Sequence, residues 1–295
     1  LLKSSRILAG VVGAALLAAC SSNGSSSIPS AGSPFSPSIA RVPVMHVMLP
    51  RDAHVLRPHA GGNLVWRGGP VQHPPSVYLI FWGNWQSGGD PNGEAARLSS
   101  FFGNVGGSQW LSTTTQYTDG SGPITNPSGQ LAGTWYDTSS VPTRPTQSNV
   151  AAEAAKAAAH FNNYSSNTSY FVAMPTGHDP RGFRTSWCAF HSSTSTSGGL
   201  VSYTDFPYST DAGASCGENS VNGGTAGLLD GVTIVGGHEY AETETDPQPN
   251  SGWLDGSGSE IGDKCAWVNL QNTPMGNGSY PTQPLWSNAI SGCAQ

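Results

Sequence analysis

Four cysteines in the second half of the chain, Cys188, Cys216, Cys265 and Cys293, constrain the fold more than any other feature, and a fifth, Cys20, says how to read them. Cys20 directly follows an apolar run from Ile7 to Ala19, ahead of which stand Lys3 and Arg6. That run falls short of the ~20 residues a membrane-spanning helix needs and suits the core of a secretory leader. In an exported chain an even set of cysteines reads as a disulfide framework, for which four cysteines allow three pairings. Cys188–Cys216 and Cys265–Cys293 are the expected pairs, because each closes a modest local loop. A cysteine metal site is disfavoured, since no two of the four stand at the short spacings of zinc ligands.

Leu17-Ala18-Ala19-Cys20 resembles the bacterial lipobox. The resemblance implies that residues 1–19 are a lipoprotein signal peptide and that Cys20 is acylated; secretion without lipid is the alternative. Residues 20–68 then read as the lipidated cysteine and a flexible Ser/Pro/Gly-rich tether, clearest from Ser21 to Ile39. His46, His54 and His59 lie in this stretch among prolines and arginines, and are expected to be surface or packing histidines rather than ligands. By analogy with lipoprotein sorting, Ser21 and Ser22, with no aspartate behind Cys20, suit the outer membrane or cell surface. The expected location is therefore the bacterial cell envelope, with the lipid anchor as the sole membrane contact.

Charged residues make up 10% of the chain, against about 25% in average soluble proteins. Glycine, proline, serine and threonine take their place, so long loops and few helices are expected. The net charge is −6, or −8 without Lys3 and Arg6 of the leader. No basic patch is visible, which excludes nucleic acid and anionic membrane surfaces as natural partners. Residues 69–295 suffice for one domain with a core. The apolar run Ser76–Trp82 between Pro75 and Gly83 predicts a buried strand, Tyr170–Met174 a second, and Leu200–Tyr203 an edge-like third. Leu98, Phe101 and Phe102 predict a helix from Glu94 to Phe102 that Gly103 stops. The alanine-rich stretch from Gln147 to Phe161 predicts another, capped by Ser148 or Asn149. The expected class is mixed α/β (α+β), a single loop-rich domain with two disulfides.

The chemistry-bearing stretch runs from Leu229 to Pro247. Ile234, Val235, Ala241 and Thr245 recur at helical spacing, and Asp246-Pro247 marks the end. On that helix His238 and Glu242 are i and i+4, so they project side by side, one turn apart. An imidazole and a carboxylate so placed can share a metal ion, while Glu239 points off that axis toward the water the metal holds. This is the geometry of H-E-x-x-H metallopeptidases with Glu242 in place of the second histidine. A third ligand must come from elsewhere, and Glu260 or Asp263, close to Cys265, can supply it; the other can act as an outer partner of His238.

Several spaced elements carry a family resemblance: Cys188-Ala189-Phe190-His191, Asp230-Gly231-Val232-Thr233, His238-Glu239-Tyr240-Ala241-Glu242, Thr245-Asp246-Pro247, Trp253 and Glu260-Ile261-Gly262-Asp263-Lys264-Cys265. Together with Gly69-Pro70-Val71, Phe81-Trp82-Gly83, Ser108, Gln116 and Tyr117, they resemble the phosphate-induced, EXORDIUM-like family of secreted proteins, particularly its bacterial members. The likeness runs from about Gly69 to the C-terminus. It implies an extracellular, disulfide-bearing α/β domain with a zincin-like active helix. Carried over, the histidine-glutamate motif falls on His238 and Glu239, the C-x-F-H element on Cys188 and His191, and the acidic-cysteine element on Glu260, Asp263 and Cys265. His191 then reads as a third nitrogen ligand, as an oxyanion stabiliser beside the metal, or as a packed histidine next to a disulfide.

The leading expectation is a zinc-dependent peptidase or amide hydrolase acting on a peptide or protein substrate. Zn2+ is held by His238, Glu242 and one of Glu260, Asp263 or His191, and Glu239 is the general base. Calcium on Asp246, Asp255, Glu260 and Asp263 is a structural alternative. A rival class is a non-catalytic module that binds a cell-wall component, with Trp82, Trp85, Trp110, Trp135 and Trp253 stacking on sugars. A glycosidase pairing Glu260 with Asp263 or Asp255 ranks last. His178 is expected in a loop, and His73 and His160 in structural roles.

Overall fold

A computed structural model describes residues 45–53 and 62–295. The expected leader, Cys20, most of the tether, His54 and His59 lie outside the described residues. The core is a six-stranded sheet. In chain order its strands are β1 (His46–Met48), β2 (Ser76–Trp82), β3 (Leu131–Asp137), β4 (Thr168–Ala173), β5 (Ala189–Thr196) and β6 (Gly199–Phe206), and their spatial order is β1-β5-β6-β4-β2-β3. Strands β3, β2, β4 and β6 run parallel, β5 returns antiparallel to β6, and β1 pairs antiparallel with β5.

Alternation along β4 sets the layers. Phe171 turns to one face and meets Phe102 of helix α1 (Glu94–Val105), with ring centroids 4.9 Å apart. Tyr170 turns to the other, stacking on Tyr78, which stacks on Phe161 at the end of helix α2 (Gln147–His160). With both faces covered, β4 is buried throughout, as the unbroken apolar run of a central parallel strand requires. Helix α3 (Asp230–Thr245) shares a face with α1, and every one of its residues is buried. A C-terminal ribbon, Gln271–Met275 with Gly278–Thr282, covers it: Thr233 Oγ1 donates to the Pro281 carbonyl at 2.6 Å. Among the described residues no helix is long and apolar enough to cross a membrane.

The mixed α/β class and both expected disulfides are present, Cys188–Cys216 and Cys265–Cys293, each spanning 28 residues. By loop-closure entropy each contributes about 3.5 kcal/mol. Other details differ from the sequence expectations. The sheet recruits residues 46–48, and Val65–Trp66 pairs with Trp253–Leu254, so ordered structure begins ahead of Gly69. Residues 200–203 belong to β6, an interior strand rather than an edge, because β5 folds back and β1 closes the sheet beyond it. Helix α1 continues through Gly103 to Val105, since Val105 is itself a core residue. The α2 cap is Thr146, whose hydroxyl oxygen accepts from the Asn149 N–H while the Asn149 side chain accepts from the Thr146 N–H.

Candidate metal centre

Two disulfides and two glycines bring the candidate residues together. The Cys188–Cys216 disulfide stands at the start of β5, just ahead of His191, and ties it to the segment that leads into α3. Gly231 sits against that segment: a Cβ there would lie 2.1 Å from the Cys216 carbonyl oxygen, so only glycine lets the helix start so close. The Cys265–Cys293 disulfide fixes the Glu260–Asp263 loop. Gly262 in that loop rests against the α3 pair: its Cβ would lie 2.7 Å from His238 Nδ1 and 2.9 Å from Glu242 Oε1.

On α3, His238 Nε2 lies 3.0 Å from Glu242 Oε1, as the i,i+4 spacing predicts. Asp263 Oδ1 is 3.8 Å from the same nitrogen, and the Asp263 N–H donates to Glu242 Oε1 at 3.0 Å. Glu239 faces the sheet instead. Its Oε2 is 3.3 Å from His191 Nδ1, and its Oε1 accepts the Met48 N–H of β1 at 3.3 Å. Glu242 Oε2 is 3.6 Å from His191 Nδ1. Glu260 occupies the far side, with Oε1 3.6 Å from His191 Nε2 and Oε2 2.6 Å from His46 Nδ1.

His46 corrects the sequence expectation. It is not a surface or packing histidine of a tether but a member of this cluster, because β1 pairs with β5 in the register His46↔His191. The only signal was the short apolar stretch Met45-His46-Val47-Met48-Leu49, too brief to mark a strand. Asp263, rather than Glu260, stands beside His238 and Glu242, whereas Glu260 associates with His191 and His46.

The cluster fits a cation better than it fits itself. His191, His238, Glu239, Glu242 and Glu260 are fully buried. Yet His191 Nε2, both ring nitrogens of His238, Glu242 Oε2 and both oxygens of Glu260 have no hydrogen-bond partner. Four ligands at 2.0–2.2 Å around a tetrahedral ion stand roughly 3.3–3.6 Å from one another. The separations of 3.0, 3.6 and 3.8 Å among these donors bracket that range. Three groups of donor atoms lie within 4.8 Å of one another: His238, Glu242 and Asp263; His191, Glu239 and Glu242; and His46, Glu260 and Asp263. Mixed nitrogen and carboxylate donors suit a borderline dication such as zinc.

The electrostatics follow from burial and crowding. Burial alone would lower the His238 pKa, but Glu242, Glu239 and Asp263 more than reverse this and raise it to about 10. Burial lowers His191 too, and the Glu239 and Glu242 carboxylates raise it on balance. His46 is lowered by burial and by His191. Burial pushes Glu239 up against the pull of the two histidines. Burial also opposes ionisation of Glu242, but His238 outweighs it and holds that carboxyl low. Burial and the neighbouring carboxylates lift Asp263 to about 7 and Glu260 well above the carboxylate range.

The remaining sequence candidates stand apart. Asp246 is capped by the N–H groups of Asn250, Ser251 and Gly252, and Asp255 Oδ2 pairs with Lys264 at 2.9 Å, so the four-carboxylate calcium set is not assembled. The Asp255 pairing also removes one of the two glycosidase partnerships. Trp82, Trp85 and Trp110 are buried and offer no sugar platform; Trp135 stacks on His160. His73 Nδ1 bonds the Pro123 carbonyl while its Nε2 stands 3.0 Å from Asp119, and His178 bonds the Pro142 carbonyl, both outside the cluster. No family model, no curated protein and no solved structure matches this chain.

Proposed function

We propose that this chain is an exported, lipid-anchored zinc hydrolase that cleaves peptide or amide bonds in the cell envelope. One observation carries the reading: His238 Nε2 is buried without a hydrogen bond although Glu242 and Asp263 stand beside it. A buried polar atom left unpaired costs about 1–3 kcal/mol, which a bound dication removes. In this reading His238 Nε2, Glu242 and Asp263 hold the ion, which supplies Lewis acidity and makes water a nucleophile near neutral pH. Glu239 takes the proton from the attacking water at Oε2 and hands it to the leaving amine. The His191 Nδ1–H faces that same oxygen, orients it and steadies its charge. The two disulfides support an oxidising location, and the lipobox resemblance supplies the anchor.

Metal analysis of the purified protein beside His238→Ala and Glu239→Gln tests this. The expected outcome is bound zinc in the parent chain, less in His238→Ala, and full metal with amide hydrolysis abolished in Glu239→Gln. A protein that takes up no transition metal when zinc is offered sinks the proposal. So does a Glu239→Gln variant that hydrolyses peptides at the parent rate.

A further inference from the structure

The three donor groups overlap. Asp263 belongs both to the group with His238 and Glu242 and to the group with His46 and Glu260. The second group contains the most conspicuous orphan of the cluster: Glu260 is fully buried, neither of its oxygens is hydrogen-bonded, and His191 Nε2, 3.6 Å away, is also without a partner. The 2.6 Å contact between His46 Nδ1 and Glu260 Oε2 lacks hydrogen-bond alignment, so it leaves Glu260 unsatisfied.

Charge points the same way. Glu239, Glu242, Glu260 and Asp263 bring four carboxylates together, the first three fully buried and Asp263 partly exposed, and among the described residues their ion pairs are with histidines alone. The nearby Lys264 is engaged with Asp255. Uncompensated buried charge is among the costliest features a fold can carry. A second cation beside Glu260 would remove that cost at a carboxyl that no hydrogen-bond donor reaches.

We infer that the centre takes two divalent transition-metal ions side by side, the first on His238, Glu242 and Asp263, the second on His46, Glu260 and Asp263, with Asp263 common to both. His191 flanks the second position through Nε2, and its Nδ1 is oriented by Glu239, the carboxylate–histidine arrangement that fixes ring orientation at metal sites. β1 is then part of the centre, since it delivers His46 across the sheet edge. The inference rests on the metal reading above and extends it.

Zinc sulfate titrated calorimetrically into the metal-stripped full chain, with elemental analysis of the refilled protein, tests it. The expected result is two zinc ions per chain, falling to one in His46→Ala and in Glu260→Gln. One zinc per chain in the parent overturns the second position and leaves the hydrolase reading standing; none overturns both. Two ions retained in both variants removes His46 and Glu260 from the ligand set. The parent stoichiometry decides the count even where a variant fails to fold.

Discussion

The ends of α3 and its middle bury carboxylates in opposite ways. At the N-terminal end Asp230 is saturated: Oδ2 accepts the Val221 and Asn222 N–H groups at 2.7 Å, and Oδ1 accepts the Asn222 side-chain amide at 2.8 Å. There the helix dipole also favours a negative charge. Asp246 follows the C-terminal end, where the dipole opposes it, and three N–H donors from the Asn250–Gly252 turn offset that penalty. Between them, Glu242 Oε2 and both nitrogens of His238 have no such partners. The fold can supply donors to a buried carboxylate, yet at the middle turn it supplies one backbone N–H each to Glu239 and Glu242 and leaves Glu242 Oε2 with none. Absence alone is insufficient. Glu244 and Asp205 are also buried without hydrogen bonds, and burial raises Glu244 to about 8 and Asp205 well above its ordinary value, but neither joins a donor group. What distinguishes the centre is convergence of carboxylates with imidazoles.

The sharpest way to break this contrast is to truncate one carboxylate from each class in metal-free protein. Asp246→Ala leaves three N–H donors of a part-buried turn without their acceptor and should cost about 1–3 kcal/mol. Glu260→Gln instead relieves like-charge crowding and should leave stability unchanged or raise it by about 1 kcal/mol. Denaturant unfolding of both variants with metal chelated gives the signs. Equal destabilisation would mean that the central carboxylates are structural after all.

Gly262 offers a subtler probe, because it touches the centre without being a ligand. A methyl group at this position meets His238 Nδ1 and Glu242 Oε1 at distances no real Cβ tolerates. Gly262→Ala should therefore weaken zinc binding by roughly 10–100-fold, the usual scale for disturbing the surroundings of metal ligands, with a smaller effect on the metal-free fold. Competition against a chromophoric chelator measures it. Unchanged affinity would show that the loop has room to yield and is not a template for the pair.

How much of this was legible in the sequence depends on range. The i,i+4 spacing of His238 and Glu242 is a local property of a helix and survives in the structure as a 3.0 Å contact. The buried runs of β2 and β4 and the disulfide pairs were legible for the same reason. The α3 apolar face was misleading, since the helix is buried on every side, polar residues included. His46 was hidden because its role comes from a pairing between strands far apart in the chain, across the sheet edge, with nothing local to announce it. The choice between Asp263 and Glu260 beside His238 was likewise out of reach, because both sit on one tight loop whose direction is set by Gly262 and the Cys265–Cys293 bridge.

A third mode of burial sharpens the comparison further. At the end of β3, Asp137 and Glu153 of α2 lie together under Lys156, which bonds Asp137. Burial first, then hydrogen bonding to Asp137, raises the Glu153 pKa from 4.5 to about 8, while that same bond, Lys156 and Ser139 hold Asp137 well below its usual range. Glu153 thus satisfies Asp137 by keeping its own proton, neither saturated by N–H groups nor waiting for an ion. The sign follows: between pH 4.5 and about 8 the unfolded chain releases this proton and the folded chain does not, so the contribution to stability is full below 4.5 and is lost as pH rises to about 8. Glu153→Gln keeps a donor toward Asp137 and removes the titration. Other groups titrate in the same window, so the informative quantity is the stability difference between parent and variant across pH. It should drift in favour of the variant from pH 4.5 to 8 and then level off. A difference that stays flat would mean Glu153 is ionised in the folded state and held by Lys156, which would place this pair with the saturated carboxylates at the ends of α3.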